Sequence, residues 1–576
     1  MAFKNRKKNY PHYETTHFSD IRIMVENAEK RFGDKYALSY RKKPNDKEPS
    51  HYTYREGRDY VRDLGTEFID RGMRDKTVAL IGEASPEWIF SYFALMASGV
   101  VSVPIDKELP AADMASIMNT AACDCVVYSS SIEKKMDEIK TLCPNLSTFI
   151  AWGDKLAEGT LALSDVRDAG AAKFAAGDTR YYDYEIDIDK LASIVFTSGT
   201  TGKGKGVMLS QRNICSDMEQ GMYNFQITYK TMCVLPPHHT FGSTVNIVGH
   251  YAQGCELYIS SGLRYIMKEL EEFQPTHLIL VPLFVETFYK RIMAEAEKTG
   301  QLKKLQTAMK ISNALLKVGI DLRPVLFKSV TSKFGGKVSM IICGGAALNQ
   351  TMIDFFESIG ITILNGYGIT ECAPLICCNR NECRKNGSVG LPIVGGELKI
   401  CDPDANGEGE IAYKGPNVML GYFHDEEATK AAIDAEGFFH TGDYGKVMMD
   451  GNDQWVYITG RLKNLIIFSN GKNVYPEEIE TDIQGVYGVS EVVVYAGESK
   501  SDPTKEIIVA EIYPDAEALE RHNITDAKKY FEDAVAEINK KNVSYKNVGY
   551  VKLRDTEFPK NTSKKITRFK IDKTID

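Results

Sequence analysis

The stretch Phe196-Thr-Ser-Gly-Thr-Thr-Gly-Lys-Gly-Lys-Gly-Val207 directly follows the apolar run Leu191-Ala-Ser-Ile-Val195. A β-type apolar run that opens into Gly, Thr, Ser and Lys reads as a phosphate cradle at the end of a strand. Glycine lets backbone N–H groups approach phosphate oxygens, hydroxyls add donors, and lysine adds charge. Gly199, Gly204 and Lys205 fit the spacing of a P-loop, but Gly206 stands where that motif needs a Ser or Thr for Mg²⁺. The loop therefore departs from P-loop nucleoside triphosphatases at the position that carries their metal chemistry.

Working outward, residues 20–380 alternate helical patterns with short β-branched runs. Thr77–Gly82, Cys123–Ser130, His277–Pro282 and Ser339–Gly345 read as buried strands of an α/β sheet. Phe90–Ile105 is apolar but too short for a membrane span and broken by Ser, Gly and Pro, so it reads as a buried helix-to-strand unit. From about residue 388 short strands and Gly/Asn/Asp/Pro turns indicate a β-rich subdomain. Beyond Arg461 the strand-like Ser490–Glu498 and Glu506–Pro514 and the helical Asp526–Lys541, with Phe531, Val535 and Ile538 on one face, indicate a small α+β domain. The expected organisation is a large α/β domain of mixed sheets over residues 1–460, with the β-rich subdomain, and a small mobile α+β domain over 461–576.

The chain of 576 residues carries 70 basic and 78 acidic side chains, a net charge of −8, which argues against nucleic acid as a partner. Twelve cysteines without disulfide-like spacing suit a reducing compartment, and no apolar core follows the basic N-terminal stretch as in a signal peptide, so a cytoplasmic location is expected. Cys372, Cys377, Cys378 and Cys383 match no standard zinc spacing and read as core residues. Residues 291–337 hold ten Lys/Arg against Glu295, Glu297 and Asp321, a local charge of +7 interleaved with leucines. They read either as a solvated helical face or as a basic amphipathic surface for an anionic partner or the inner face of a membrane.

Asn365-Gly-Tyr-Gly-Ile-Thr-Glu371, His440-Thr-Gly-Asp-Tyr-Gly445, Gly460-Arg-Leu-Lys-Asn464 and Pro559-Lys-Asn-Thr-Ser-Lys-Lys-Ile-Thr-Arg568 follow the phosphate loop in order. The five motifs together resemble the adenylate-forming superfamily across essentially the whole chain. Leu235–Gly242, His277–Ile292, Leu326–Leu348 and Ser469–Glu480 are similar to its long-chain fatty acyl-CoA ligases.

The resemblance implies that ATP and Mg²⁺ convert a fatty acid to acyl-adenylate, and that coenzyme A then takes the acyl group. Rival acceptors and acids are an acyl carrier protein and an aryl carboxylate, and a silent nucleotide-binding scaffold is the non-enzymatic alternative. It implies that Thr197, Ser198, Gly199, Thr200, Thr201, Gly202 and Lys205 hold the β- and γ-phosphates. Gly204 replaces the usual Pro, and Gln211 a common His. Gly344, Gly345 and Ala346, with Asn365, Gly366, Tyr367 and Gly368, would line the adenine pocket. Thr370 would reach the α-phosphate, and Asp443 and Arg461 the ribose. Glu371 and Thr197 would hold Mg²⁺, His239 would border the acyl–adenylate junction, and Lys565 would be the catalytic lysine, with Lys564 in a position usually Gly. Lys463 would be a hinge, and Gly471 would approach the pantetheine thiol.

Overall fold

Val, Ile and Ala fill Thr77–Ile81, Val101–Ile105 and Cys125–Ser129, and nearly every one of these residues is buried. Strands buried on both faces, with helices as crossovers, are the signature of a parallel sheet. In the computed structural model, which describes residues 12–197, 204–467, 473–498, 507–560 and 566–575, the three strands pair in parallel with Thr148–Trp152 alongside. They form the centre of an eight-stranded sheet. The expectations placed on Ser198–Gly202, Gly471, Lys564 and Lys565 lie outside the described residues.

Ser85 caps the helix Pro86–Ala97 by accepting from the Trp88 N–H, with Pro86 at the first helical position. All its residues but Glu87 are buried. An all-round apolar helix is a core helix when it is this short, and it delivers the chain directly into Val101–Ile105. Among the described residues no helix is long and apolar enough to cross a membrane.

A second sheet runs His277–Leu280, Met340–Cys343, Thr362–Gly368, Leu375–Cys378 and Leu391–Pro392. Its first three strands are parallel and the rest antiparallel. A third sheet joins Lys230–Cys233, Glu256–Ile259, Tyr36–Tyr40 and Ser50–Thr53. Cys372, Cys377 and Cys378 are buried in the interior, as expected of core residues, and burial pushes their thiols up, whereas Cys383, also expected in the core, is only half-buried.

Packing divides the chain into two compact units. The first holds the chain to Ala346 with Asp354–Glu397 and Tyr413–Phe439; the second holds Ala347–Ile353, Leu398–Ala412 and the chain from His440. The boundary expected after residue 460 is a statement about motion, distinct from this grouping by packing. The second unit has most of a β-rich sheet made from Glu397–Cys401, Gly409–Lys414, Phe439–Asp450 and Asp453–Arg461. It also has a three-stranded sheet of Val489–Gly497, Ile507–Pro514 and Val548–Leu553. The helices Pro476–Gln484 and Ala527–Asn539 bury Ile479, Ile483, Phe531 and Val535 in the same core as Val494 and Ala510 of that sheet.

Candidate functional site

Thr197 ends one strand and Lys205 begins the next, and the two are cross-strand partners in an antiparallel pair. The Thr197 hydroxyl donates to the Lys205 carbonyl at 3.4 Å. The Gly/Thr/Ser loop is therefore the connection of a β-hairpin, at the edge of the large sheet's parallel core. A Cβ on Gly204 would lie 2.7 Å from the Thr197 carbonyl oxygen. That close approach is a reason for glycine here. Gln211 spans the interior instead of reaching a ligand: it accepts from the Ile21 N–H at 2.9 Å and donates to the Met96 carbonyl at 3.0 Å.

The short strand Gly421–Tyr422 adds to the outer edge of this hairpin, with Tyr422 opposite Val207. That pairing puts the Tyr422 ring under Lys205, whose Nζ is 4.6 Å from the ring centroid. The Tyr422 hydroxyl donates to Glu371 Oε1 at 2.9 Å. Burial, then the Glu371 charge, raises the phenol far above its ordinary value, so Tyr422 stays a donor. An ammonium, a phenol and a carboxylate thus stand in a row that starts at Lys205, where the second hairpin strand begins. Nothing in the local sequence around Tyr422 signals this role.

Glu371 sits in the 3₁₀ turn Thr370–Cys372, and Ala373 after it has a φ of 69°. A buried polar hub holds the turn. Asn417 Nδ2 donates its two N–H groups to the carbonyls of Cys372 and Leu375, each at 2.8 Å, and lies 3.0 Å from Asp217 Oδ1. Asp217 also accepts from the Leu375 N–H at 2.9 Å, and the Met419 N–H donates to the Glu371 carbonyl at 2.8 Å. Burial pushes the Asp217 carboxyl well above the usual range. The turn is held through Asp217 Oδ1 and the Asn417 amide, while the buried Asp217 Oδ2 has no hydrogen-bond partner among the described residues.

Cys343 and Asn365 are cross-strand partners in the parallel pair that ends at Gly344-Gly-Ala346 and Gly366-Tyr-Gly368. The two Gly-containing segments therefore meet at the carboxyl ends of adjacent parallel strands, where open α/β sheets bind ligands. A Cβ on Gly344 would meet the Gly366 carbonyl at 3.3 Å and the Phe241 ring at 3.4 Å. Asn365 to Glu371 are all half-buried, in contrast to the buried Ile363–Leu364 before them. They are a half-buried, mostly polar strand end on an apolar sheet, and the Phe241 ring packs close to Gly344.

His239 lies just before the π-helix Phe241–Gly249, a rare winding that recurs at functional sites. Its carbonyl accepts from the Gly242 and Ser243 N–H groups, both at 2.8 Å. Its ring centroid is 4.3 Å from that of His238. His238 Nε2 is 3.6 Å from Asp106 Oδ2, and burial lowers the His238 pKa against the pull of that carboxylate.

In the second unit, Asp443 and Arg461 are cross-strand partners, with Nε of Arg461 3.1 Å from Asp443 Oδ1. Glu410 clamps the preceding turn, accepting from the Gly442 N–H at 3.0 Å and pairing with His440 at 2.9 Å. Lys463 is exposed in the 3₁₀ turn Leu462–Asn464. Residues 561–565 are bracketed by a β-bridge between Lys560 and Ile566 and by the Thr567 N–H on the Pro559 carbonyl at 2.7 Å. Arg568 pins this bracket, with its guanidinium on both oxygens of Glu480 and on the Val494 carbonyl at 3.0 Å.

The family described as AMP-binding enzyme matches residues 25–423, a span that includes the hairpin loop, Glu371 and Tyr422. The chain belongs to the AMP-binding enzyme family. With the family comes the coarse class of reaction, that of the adenylate-forming ligases. Relatives include a chloroplastic long-chain-fatty-acid–[acyl-carrier-protein] ligase of Arabidopsis thaliana, 28% identical over 82% of this chain and 74% of its own. Another is the human long-chain-fatty-acid–CoA ligase 1, 29% identical over 79% of this chain and 68% of its own. Among solved structures, the anthranilate CoA ligase AuaEII with anthranoyl-AMP superposes with a TM-score of 0.76 at 18% identity, over 98% of both chains. ATP-bound MatB of Rhodopseudomonas palustris superposes with a TM-score of 0.73 at 24% identity, over 96% of this chain and 98% of its own. At these identities the two structures speak for the fold.

The donor set of this AMP-binding enzyme fits Mg²⁺. The ion is hard, takes oxygen ligands, and holds its waters, so it needs few protein groups when phosphates are present. Glu371 offers a half-buried carboxylate held in place by Tyr422, and Thr197 a hydroxyl at the end of its strand.

Proposed function

We propose that this AMP-binding enzyme activates a long-chain fatty acid and transfers it to coenzyme A. A carboxylate oxygen attacks the α-phosphorus of ATP, the bond to pyrophosphate breaks, and acyl-adenylate forms. The coenzyme A sulfur then attacks the acyl carbon, its proton leaves, and the bond to AMP breaks. The observation that carries this reading is the row Lys205, Tyr422 and Glu371 that starts where the second hairpin strand begins, in the same unit as the polar strand ends at Gly344 and Asn365.

Lys205 and the loop hydroxyls and N–H groups would offset charge on the departing pyrophosphate. Thr370 would donate to the α-phosphate, and Asn365–Gly368 with Gly344–Ala346 would seat adenine. Mg²⁺, held by Glu371 and Thr197, would supply Lewis-acid polarisation of the phosphates. Asp443 would accept from the ribose diol with Arg461 steadying its carboxylate. Lys565 would approach the reacting carboxylate for adenylation. Rotation of a small domain from residue 461 about Lys463 would then bring Gly471 to the thiol. His239 would border the acyl end.

The long chain of the acid and the choice of coenzyme A rest on the fatty-acid relatives. The Arabidopsis thaliana relative favours an acyl carrier protein as the second reading of the acceptor. Pyrophosphate release across a panel of aliphatic and aryl acids tests the reading, with coenzyme A, carrier protein or no acceptor. Release with long aliphatic acids, and thioester only with coenzyme A, is expected. No release with any acid would leave a silent scaffold.

A further inference from the structure

Eight of the ten basic residues in 291–337 are Lys, and one of the two Arg, Arg323, is committed to Asp321 at 2.7 Å and to the Glu357 carbonyl at 3.1 Å. The helix Leu302–Leu316 is anchored by buried Leu305 and Ser312, and by Asn313 on the Ser358 hydroxyl at 2.8 Å. Residues seven apart lie on one helix row. Lys303 and Lys310, with the C-cap Lys317, therefore form one exposed row, Lys304 and Ile311 lie exposed beside it, and Val318 is exposed in the turn that follows the helix. Buried Phe327 anchors the chain again beyond the turn.

Between these anchors the chain presents apolar side chains to solvent. Val318 is 72% and Val325 76% exposed, and Ile311, Ile320 and Leu326 are exposed with them. These five are a quarter of the twenty exposed large hydrophobics among the described residues, within sixteen positions. Scattered exposed apolar residues need no explanation, but a group at the tip of an anchored, positively charged helix–turn does. We propose that this face docks on an anionic lipid bilayer, with Val318, Ile320 and Val325 entering the headgroup layer and the Lys rows on the lipid phosphates.

Two features select a bilayer over an acidic protein. Protein interfaces favour Arg and are depleted in Lys, because a planar guanidinium makes fixed bidentate contacts; mobile Lys point charges suit phosphates with no fixed positions. The apolar residues also crown a turn instead of lining a groove, which suits shallow insertion. The +7 segment in a chain of net charge −8 supplies the complementarity. The proposal is independent of the ligase reading, since it is measured without substrates.

The test is co-sedimentation of the whole protein with phosphatidylcholine vesicles and with an equimolar phosphatidylcholine–phosphatidylglycerol mixture. Preferential, salt-sensitive binding to the anionic vesicles is expected. The combined Lys303→Glu, Lys310→Glu and Lys317→Glu variant should bind at least roughly 10²-fold more weakly, from about 1 kcal/mol for each of the three lysines lost, with the added acids weakening it further. Val318→Trp fluorescence should shift to the blue on adding anionic vesicles, and Val318→Ser with Val325→Ser should make binding more salt-sensitive. Unchanged partition of the triple variant, no blue shift, or capture of an acidic carrier protein by this face without vesicle binding would each overturn the proposal. The substituted side chains are exposed, and an unchanged circular dichroism melt confirms that each variant is folded.

Discussion

Tyr422 donates its hydroxyl to Glu371 at 2.9 Å while its ring lies 4.6 Å from the Lys205 ammonium. One residue therefore holds the carboxylate with its hydroxyl and faces the cation with its ring. Tyr422→Phe keeps the ring and removes the donor. We expect adenylation to fall roughly 3- to 10-fold at limiting Mg²⁺, in line with about 1 kcal/mol for one hydrogen bond, and to recover as Mg²⁺ is raised. Glu371→Gln should lose about 10²-fold, as for removal of one electrostatic stabiliser. Pyrophosphate release titrated against Mg²⁺ checks both, and wild-type behaviour of Glu371→Gln at low Mg²⁺ would refute the role of Glu371.

Glu371 was singled out in the sequence only through the resemblance that Gly-Tyr-Gly-Ile-Thr-Glu carries; the structure puts it in the turn after the strand Thr362–Gly368. Tyr422 was not singled out, because its position comes from pairing of a two-residue strand with Lys205–Ser210. The same contrast runs through the fold. Buried parallel strands such as Cys125–Ser129 announce themselves as β-branched runs, whereas the Asp217–Asn417 hub joins side chains 200 positions apart. Local patterns report the elements and their ends; they do not report which ends the sheet brings together.

His250 and His277 form a second pairing of this kind, fully buried with their Nε2 atoms 2.8 Å apart. His250 Nδ1 faces the Val245 carbonyl at 2.9 Å and must donate, so its Nε2 accepts and His277 Nε2 donates. Thr228 then donates to His277 Nδ1 at 2.8 Å, and the chain of bonds closes with both rings neutral. Burial lowers His250 to about 4 and His277 well below its ordinary value. Unfolded imidazoles titrate near 6.5. The unfolded state thus binds more protons below about pH 6.5, and stability is full above that pH and falls as pH drops toward 4. We expect roughly 1.4 kcal/mol per pH unit for each ring over this window. Urea midpoints between pH 7 and pH 4 measure it, and His277→Gln should remove about one proton from the slope. An equal slope in that variant would count against the pairing.

Lys463 occupies an exposed 3₁₀ turn, a tight winding that often marks hinges. Lys463→Pro fixes φ and deletes an N–H. If the small domain swings here, one orientation should be favoured, and thioester formation should suffer more than adenylation. The two half-reactions are assayed separately, by pyrophosphate release and by conversion of supplied acyl-adenylate. Equal losses would place the hinge elsewhere.

The bracket around residues 561–565 leads to the sharpest test. Arg568 on Glu480, with Lys560 bridged to Ile566, fixes the backbone on both sides of residues 561–565, the last of which is Lys565. An ammonium so carried would bridge the attacking carboxylate and the α-phosphate during adenylation only, and leave when the domain turns. Lys565→Ala should therefore reduce acid-dependent pyrophosphate release by about 10²-fold or more, because developing charge loses its partner. It should still convert supplied acyl-adenylate and coenzyme A to thioester at near the wild-type rate. Arg568→Ala loosens the bracket without touching the reacting atoms, so it should weaken adenylation less than Lys565→Ala and spare the thioester step. Lys564→Ala should change either step little. Greater damage from Lys564→Ala would move the catalytic position by one residue. Equal loss of both half-reactions in folded Lys565→Ala would mean that the two steps share one arrangement of the domains.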